Sequence, residues 1–322
     1  MLKKLGAAFA AIVVILGAVL IFGPREPVDE TISIDKAAIA TDPQAYLAAE
    51  EAAHSDIIEG AHKQIIWNDP ANKAKTSLSV VYIHGFSATL EEIRPLPDQV
   101  AAALGANLFY TRLSGHGRTG DAMAEPTVND WFNDTAEAIE VGRAIGERVV
   151  VISVSTGGTF VAWAATKPEM MENVAGLVFI SPNFAINNPA APLLSAGAAR
   201  YLLPPIFGAE RSFEAINPEH KKWWTTKYPT AAIFPMAESV RFVDKLDKWQ
   251  AKTPAMFIYH PDDKVVSADA TKRVAAFWGG PTVVEEVTEA EDPFNHVIAG
   301  RVLSPSNTAP LARKIIDWIK TK

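Results

Sequence analysis

A serine among small residues, followed far down the chain by an aspartate and then a histidine, is a set that can attack a carbonyl carbon. Ser155 lies in VVVISVSTGGTF (149–160). The run from Val149 to Ile152 is β-branched and unbroken, which reads as a strand buried on both faces. Residues 160–166 follow as a short apolar helical pattern. A strand, a tight turn of small residues around one serine, and a helix make a nucleophile elbow. Such a turn is too sharp for large side chains two positions either side of the nucleophile. Gly157 meets that demand at +2, and Ser153 meets it at −2 in place of the commoner glycine. Ser153 fails as the nucleophile, because its own −2 residue is Val151, β-branched and in mid-strand. The Thr156 N–H, at the start of the helix, is then free to face an oxyanion. The bland alternative is a strand-to-helix turn that happens to hold small residues, so the rest of the chain decides.

Stepping along the chain, other buried strands end in polar loops. Residues 77–83 (SLSVVYI) run into His84-Gly85-Phe86-Ser87, and 107–112 run into Leu113-Ser114-Gly115-His116-Gly117. Helical spacing follows over 90–104 and 128–145, the latter with Trp131, Phe132, Ala136 and Ile139 on one face. Residues 176–180 (GLVFI) and 255–259 (AMFIY) are further apolar strands, and 282–287 (TVVEEV) is the last. The 255–259 strand leads to HPDDKVV (260–266), and the loop after 282–287 delivers His296. Helices are expected over 268–278 and 309–319, with Leu311, Ile315, Ile316 and Ile319 facing inward. Gln64 to Trp67 reads as an edge strand. Near-continuously apolar strands alternating with helices predict an α/β fold with a mainly parallel sheet covered on both faces. In such a sheet the C-terminal strand ends share one edge, so Ser155, an aspartate of the 260–266 loop and His296 can converge.

The alternation breaks between 183 and 250. That stretch holds seven prolines and the aromatics Tyr201, Phe207, Phe213, Trp223, Trp224, Tyr228 and Phe234, with helical patterns and no clear strand. About seventy residues is too long for a simple crossover, so an inserted helical cap, roofing an apolar pocket, is expected. The domain plan is thus an N-terminal segment 1–24, a linker with a short helix at 25–56, a core of 57–182 and 251–322, and a cap at 183–250.

In the first segment Lys3 and Lys4 precede an uncharged run, 5–23. Nineteen helical residues span about 28 Å, near the hydrocarbon thickness of a bilayer. No clean Ala-x-Ala site closes the run. A membrane signal-anchor, with the remainder on the periplasmic or extracellular side, is therefore expected. A cleaved signal peptide and a secreted product remain the alternative. The net charge of −7 and the lack of a basic block exclude nucleic acid as an expected partner. There is no cysteine, which excludes disulfides, thiolate metal sites and a thiol nucleophile. The seven histidines show no metal-binding spacing, so neither metal nor cofactor is expected.

With VVYIHGFSA (80–88), the RLSGHG segment, the elbow, HPDDKVV (260–266) and NHVI (295–298) in hand, the chain resembles the α/β-hydrolase superfamily. Within it, the resemblance is to bacterial carboxylesterases and monoacylglycerol lipase-like enzymes (serine aminopeptidase-type hydrolases), over residues 57–320. The resemblance implies the α/β-hydrolase fold and an ester-cleaving catalytic triad in the order Ser155, Asp263, His296. It favours Asp263 over Asp262, since the family's acid stands before a short residue and a Val-Val pair. It places the oxyanion hole at the N–H groups of Phe86 and Thr156, and gives His84 a structural role. The departures are Ser153 for the usual glycine and Thr156 after the nucleophile, both of which bear on the shape of the acyl pocket. The implied substrate is a small acyl ester. A peptidase or amidase of the same fold is a second reading, for which Glu210, Glu214, Glu219 and Glu238 could hold a substrate amine. A third is a membrane-tethered binding protein without catalysis.

Overall fold

The structure is a computed structural model that describes residues 4, 14, 15 and 17–322. Most of the expected N-terminal anchor, residues 1–3, 5–13 and 16, lies outside the described residues. Residues 17–22 are helical, and the Leu20 carbonyl accepts the Gly197 N–H at 2.7 Å. Among the described residues no helix is long and apolar enough to cross a membrane.

The main sheet has strands β1 (Gln64–Ile66), β2 (Thr76–Ile83), β3 (Asn107–Tyr110), β4 (Gly146–Val154), β5 (Val174–Ile180), β8 (Ala255–Tyr259) and β9 (Thr282–Glu286). Their spatial order is β1-β3-β2-β4-β5-β8-β9. Only β1 runs antiparallel, pairing with β3; every other neighbouring pair is parallel. The reason lies in the pleat. Val149 and Val151 enter one hydrophobic layer, while Val150, Ile152 and Val154 enter the other. Both faces of each central strand are therefore apolar, and both must be covered.

One face is covered by α4 (Val128–Ile145), α5 (Ser155–Ala165) and α10 (Ala268–Ala276). Phe132 stacks on Trp163 with centroids 3.9 Å apart, and Phe179 on Phe257 at 4.9 Å. The other face is covered by α3 (Leu96–Leu104) and α11 (Pro305–Ile319), through residues such as Val100, Leu311 and Ile315. The α4 boundaries match their sequence signals. Thr127 caps the first turn through Asp130 in a reciprocal pair of hydrogen bonds.

Three expectations change. First, helix α3 begins at Leu96 rather than residue 90. Pro95 and Pro97 forbid helical continuation through the preceding positions, so 87–95 is a loop. Second, 25–56 holds two helices where a linker with one short helix is expected. Asp35 and Asp42 cap α1 (Lys36–Thr41) and α2 (Pro43–Ala52), which bury Ile39 and Leu47 in the core. The extended residues before them are held by Glu30, whose carboxylate accepts from the Trp163 indole at 2.6 Å and pairs with Lys167 at 2.7 Å. Third, the 183–250 stretch does contain strands: β6 (Glu210–Ser212) and β7 (Lys227–Pro229) form an antiparallel pair. Three-residue strands lack the period that reveals longer ones. The remainder of that stretch is short helices, α6 (Ala199–Leu202), α7 (Pro204–Phe207) and α8 (Pro218–Trp223), and the longer α9 (Ile233–Asp244).

Candidate active site

Ser155 is the first residue of α5 and follows β4 directly. Its φ of +49° places it in the left-handed region, which costs a non-glycine residue about 1–3 kcal/mol. Close packing holds it there. A side chain at Gly157 would come within 2.5 Å of the Ile83 carbonyl oxygen and 2.6 Å of that of His84. The backbone of the 83–84 loop thus lies directly against the elbow, which is why +2 is glycine. At −2, the Ser153 hydroxyl is buried and donates to the Val178 carbonyl of neighbouring β5 at 3.2 Å. A serine is accommodated there because its one polar group finds a partner.

The structure brings Ser155, Asp263 and His296 together. His296 Nε2 lies 3.0 Å from Ser155 Oγ, and His296 Nδ1 lies 2.8 Å from Asp263 Oδ2. The Asp263 carboxylate only accepts, so Nδ1 carries the proton and Nε2 faces the serine as an acceptor. The other Asp263 oxygen accepts the N–H groups of Val265 and Val266 at 2.8 and 2.9 Å, which fixes the carboxylate's plane. Asp262 is exposed, and the His296 imidazole hydrogen-bonds to Asp263, so the geometry favours Asp263 of the two neighbours. Burial disfavours the charged imidazole, but the Asp263 carboxylate, with support from Glu92 and Asp292, holds the His296 pKa above its ordinary 6.5.

Asp292 was not singled out in the sequence. Its Oδ2 accepts from the N–H groups of His296 and Val297 at 3.0 and 2.9 Å, and its Oδ1 from Phe294 at 3.2 Å. It closes the loop that presents the histidine. An Asx-type signal, Asp-Pro at 292–293 before an aromatic residue, was the available hint.

Phe86 and Thr156, whose N–H groups the resemblance assigns to an oxyanion hole, line the same cavity as Ser155. The Thr156 N–H belongs to the first turn of α5, where no helical carbonyl lies one turn back. The Phe86 N–H has no acceptor among the described residues. Its direction follows from His84. The Leu113 N–H donates to His84 Nε2 at 3.1 Å, so the proton sits on Nδ1, which donates to the Gly85 carbonyl at 2.8 Å. In a trans peptide the Phe86 N–H points opposite that carbonyl, away from His84. His84 is fully buried, and burial together with neighbouring His116 pushes its pKa well below 6.5, which keeps this arrangement neutral.

Above the serine is a cavity of about 460 Å³. The 183–250 stretch supplies Phe213, Ile216, Trp224, Tyr228, Ile233 and Met236 to its wall. Core loops supply Phe86, Val266, Val297 and Leu303. Phe86 joins the two, packing edge-on to Tyr228 at 5.5 Å, and the Thr225 N–H donates to the Ser87 carbonyl at 2.7 Å. Of the seven aromatics named for the 183–250 stretch, Phe213, Trp224 and Tyr228 line the cavity. Trp223 and Phe234 are buried elsewhere, while Tyr201 and Phe207 are exposed. Of the four glutamates considered for an amine, only Glu214 lines the cavity. Glu210, Glu219 and Glu238 pair with Lys227, Arg301 and Arg241. Among the described residues no group of three or more metal-ligating side chains occurs.

A model of the α/β hydrolase family matches residues 80–296. A thermostable monoacylglycerol lipase from Bacillus sp. (strain H-257) is 29% identical over 190 residues, which is 59% of this chain and 72% of that protein. Among solved structures, one of the metagenome-derived lipolytic enzymes LipS and LipT superposes with a TM-score of 0.67 at 22% identity, covering 83% of this chain and 100% of that one. A monoacylglycerol lipase of Paleococcus ferrophilus gives 0.58 at 16% identity, over 80% and 97% of the two chains. A soluble variant of the Saccharomyces cerevisiae monoglyceride lipase gives 0.62 at 11%, over 81% and 90%.

Proposed function

The chain belongs to the α/β-hydrolase family, and on that premise we propose that it is a serine esterase of the monoacylglycerol lipase kind. The observation that carries the proposal is the hydrogen-bonded series Asp263–His296–Ser155 at the floor of an apolar cavity. His296 Nε2 takes the proton as Ser155 Oγ attacks the ester carbonyl, and the negative charge gathers on the carbonyl oxygen. The N–H groups of Phe86 and Thr156 receive that charge, a contribution worth about 3–4 kcal/mol per donor in other serine hydrolases. Asp263 holds the imidazole in the required tautomer and stabilises its cation. His296 then gives the proton to the departing alkoxide. Water, deprotonated by the same nitrogen, releases the acid from the acyl-enzyme.

The cavity wall favours a hydrocarbon acyl chain, since Phe213, Ile216, Trp224, Tyr228, Ile233 and Met236 gain by desolvating one. Medium-chain acyl esters and monoacylglycerols are therefore the proposed substrates, in keeping with the Bacillus relative's name. The roof residues act as the cap of 183–250, and the uncharged run 5–23 is proposed as a membrane anchor. The test is a rate profile over p-nitrophenyl esters from acetyl to palmitoyl and over monoacylglycerols. A maximum at medium chains supports the reading, and a steep preference for acetyl with no turnover of longer chains contradicts it.

A further inference from the structure

Glu92 is a buried carboxylate with no part in the mechanism above. It is 2% exposed, sits in the loop before α3, and lines the cavity over Ser155. Its Oε2 accepts the Gly85 N–H at 2.7 Å and the Tyr82 hydroxyl at 2.9 Å. Its Oε1 accepts nothing among the described residues. A methyl group at Gly85 would come within 2.7 Å of Glu92 Oε1 and 2.9 Å of Ser155 Cβ. Gly85 is thus pressed between the carboxylate and the nucleophile.

This arrangement solves a mechanical problem. The loop must pass so close to Ser155 that only glycine fits, yet glycine is the residue whose backbone turns most freely. Two peptide planes meet at Gly85. His84 holds the second by its carbonyl, and Glu92 holds the first by its N–H. With both held, the Phe86 N–H has one direction. We propose that Glu92 is a positioning residue for the reaction at Ser155: it clamps Gly85 so that the Phe86 N–H is preset toward the oxyanion, and its charge acts on His296.

The inference rests on the serine-esterase reading. Burial of a carboxylate is costly unless it is paired or hydrogen-bonded, and here two hydrogen bonds offset part of that cost. The ionisable groups acting on it are the Tyr82 phenol on β2 and the His296 imidazole from the loop after β9. Burial pushes the Glu92 carboxyl up to about 7, against the pull of the Gly85 N–H, Tyr82 and His296. Its negative form in turn favours the imidazolium of His296.

Glu92→Gln and Glu92→Ala separate clamp from charge. Full-length wild type, both variants and Ser155→Ala are assayed on p-nitrophenyl butyrate across pH, with the active fraction counted by fluorophosphonate labelling. The glutamine side chain still offers an oxygen to the Gly85 N–H, so Glu92→Gln keeps kcat within about threefold of wild type, while its acidic limb moves to lower pH. Glu92→Ala loses the clamp, and kcat per labelled site falls about tenfold or more with KM nearly unchanged. A residue that only supports the fold would lower the labelled fraction and leave both the pH limb and kcat per site where they were; that result overturns the role. If Glu92→Ala does not fold, the pH limb of Glu92→Gln decides alone, and an unmoved limb rejects the proposal. A wild type that neither turns over the ester nor labels overturns the Ser155 reading, and this role with it. An active wild type with unchanged Glu92 variants overturns this role only.

Discussion

The central sheet and the 183–250 stretch face the same cavity but are built on different principles. The sheet side is made of long periodic elements whose strand ends deliver polar groups at fixed points: Ser155 after β4, Asp263 after β8 and the Gly85–Phe86 loop after β2. The other side is short helices and a pair of three-residue strands, α6 to α9 with β6 and β7, which deliver apolar side chains. Rigid elements hold the groups that must meet within about 3 Å, as hydrogen-bonded proton transfer requires. Irregular ones shape the space, where an error of an ångström changes preference and not chemistry. On the proposed function, reaction and selectivity are carried by separable parts of this chain.

The comparison breaks if chemistry depends equally on both sides. His296→Ala removes the base and is expected to lower kcat by about a thousandfold or more, with the circular dichroism spectrum unchanged. No single change in the 183–250 wall should approach that. Stability sharpens the contrast next. Phe257 is fully buried and stacked on Phe179, so Phe257→Ala is expected to cost about 3–5 kcal/mol in urea unfolding. Ile206, 70% exposed on α7, should change stability by less than about 0.5 kcal/mol when replaced by alanine.

Selectivity should move on the other side alone. Trp224→Ala enlarges the cavity, and the ratio of kcat/KM for long over short acyl esters is expected to change by about tenfold, while butyrate turnover changes little. The smallest effect concerns pH. His296 must be neutral to accept the serine proton, and its pKa is raised above 6.5 chiefly by Asp263. Activity should therefore rise with pH through a midpoint above 6.5 and fall away on the acidic side. Trp224→Ala should move that midpoint little, because among the described residues Trp224 makes no side-chain hydrogen bond or ion pair with His296, Asp263, Glu92 or Asp292.

The same division governs what could be read from the chain. The core strands announce themselves through unbroken apolar runs such as 149–152 and 255–258, because a strand buried on both faces leaves no room for polar residues. The site residues follow from them, since strand ends of a parallel sheet share an edge. Glu92 escaped notice because Glu91 and Glu92 look like the wet side of a helix beginning at residue 90, whereas Pro95 and Pro97 delay the helix and fold both inward. Asp292 escaped because a loop carboxylate that binds backbone N–H groups has no periodic signature. The 25–56 stretch reads as a linker with one short helix; that helix matches α2, while α1 and its Asp35 cap lie where the prolines and acidic residues suggest linker. The β6–β7 pair is too short to show alternation at all.

The central claim is that Ser155 is a nucleophile activated by His296. Its most direct test is to treat the full-length protein with a fluorophosphonate and locate the adduct by peptide mass spectrometry. One adduct is expected, on Ser155, absent from Ser155→Ala and formed far more slowly in His296→Ala. No adduct on the folded wild type, or one at another serine with Ser155→Ala still labelling and turning over ester, would contradict it.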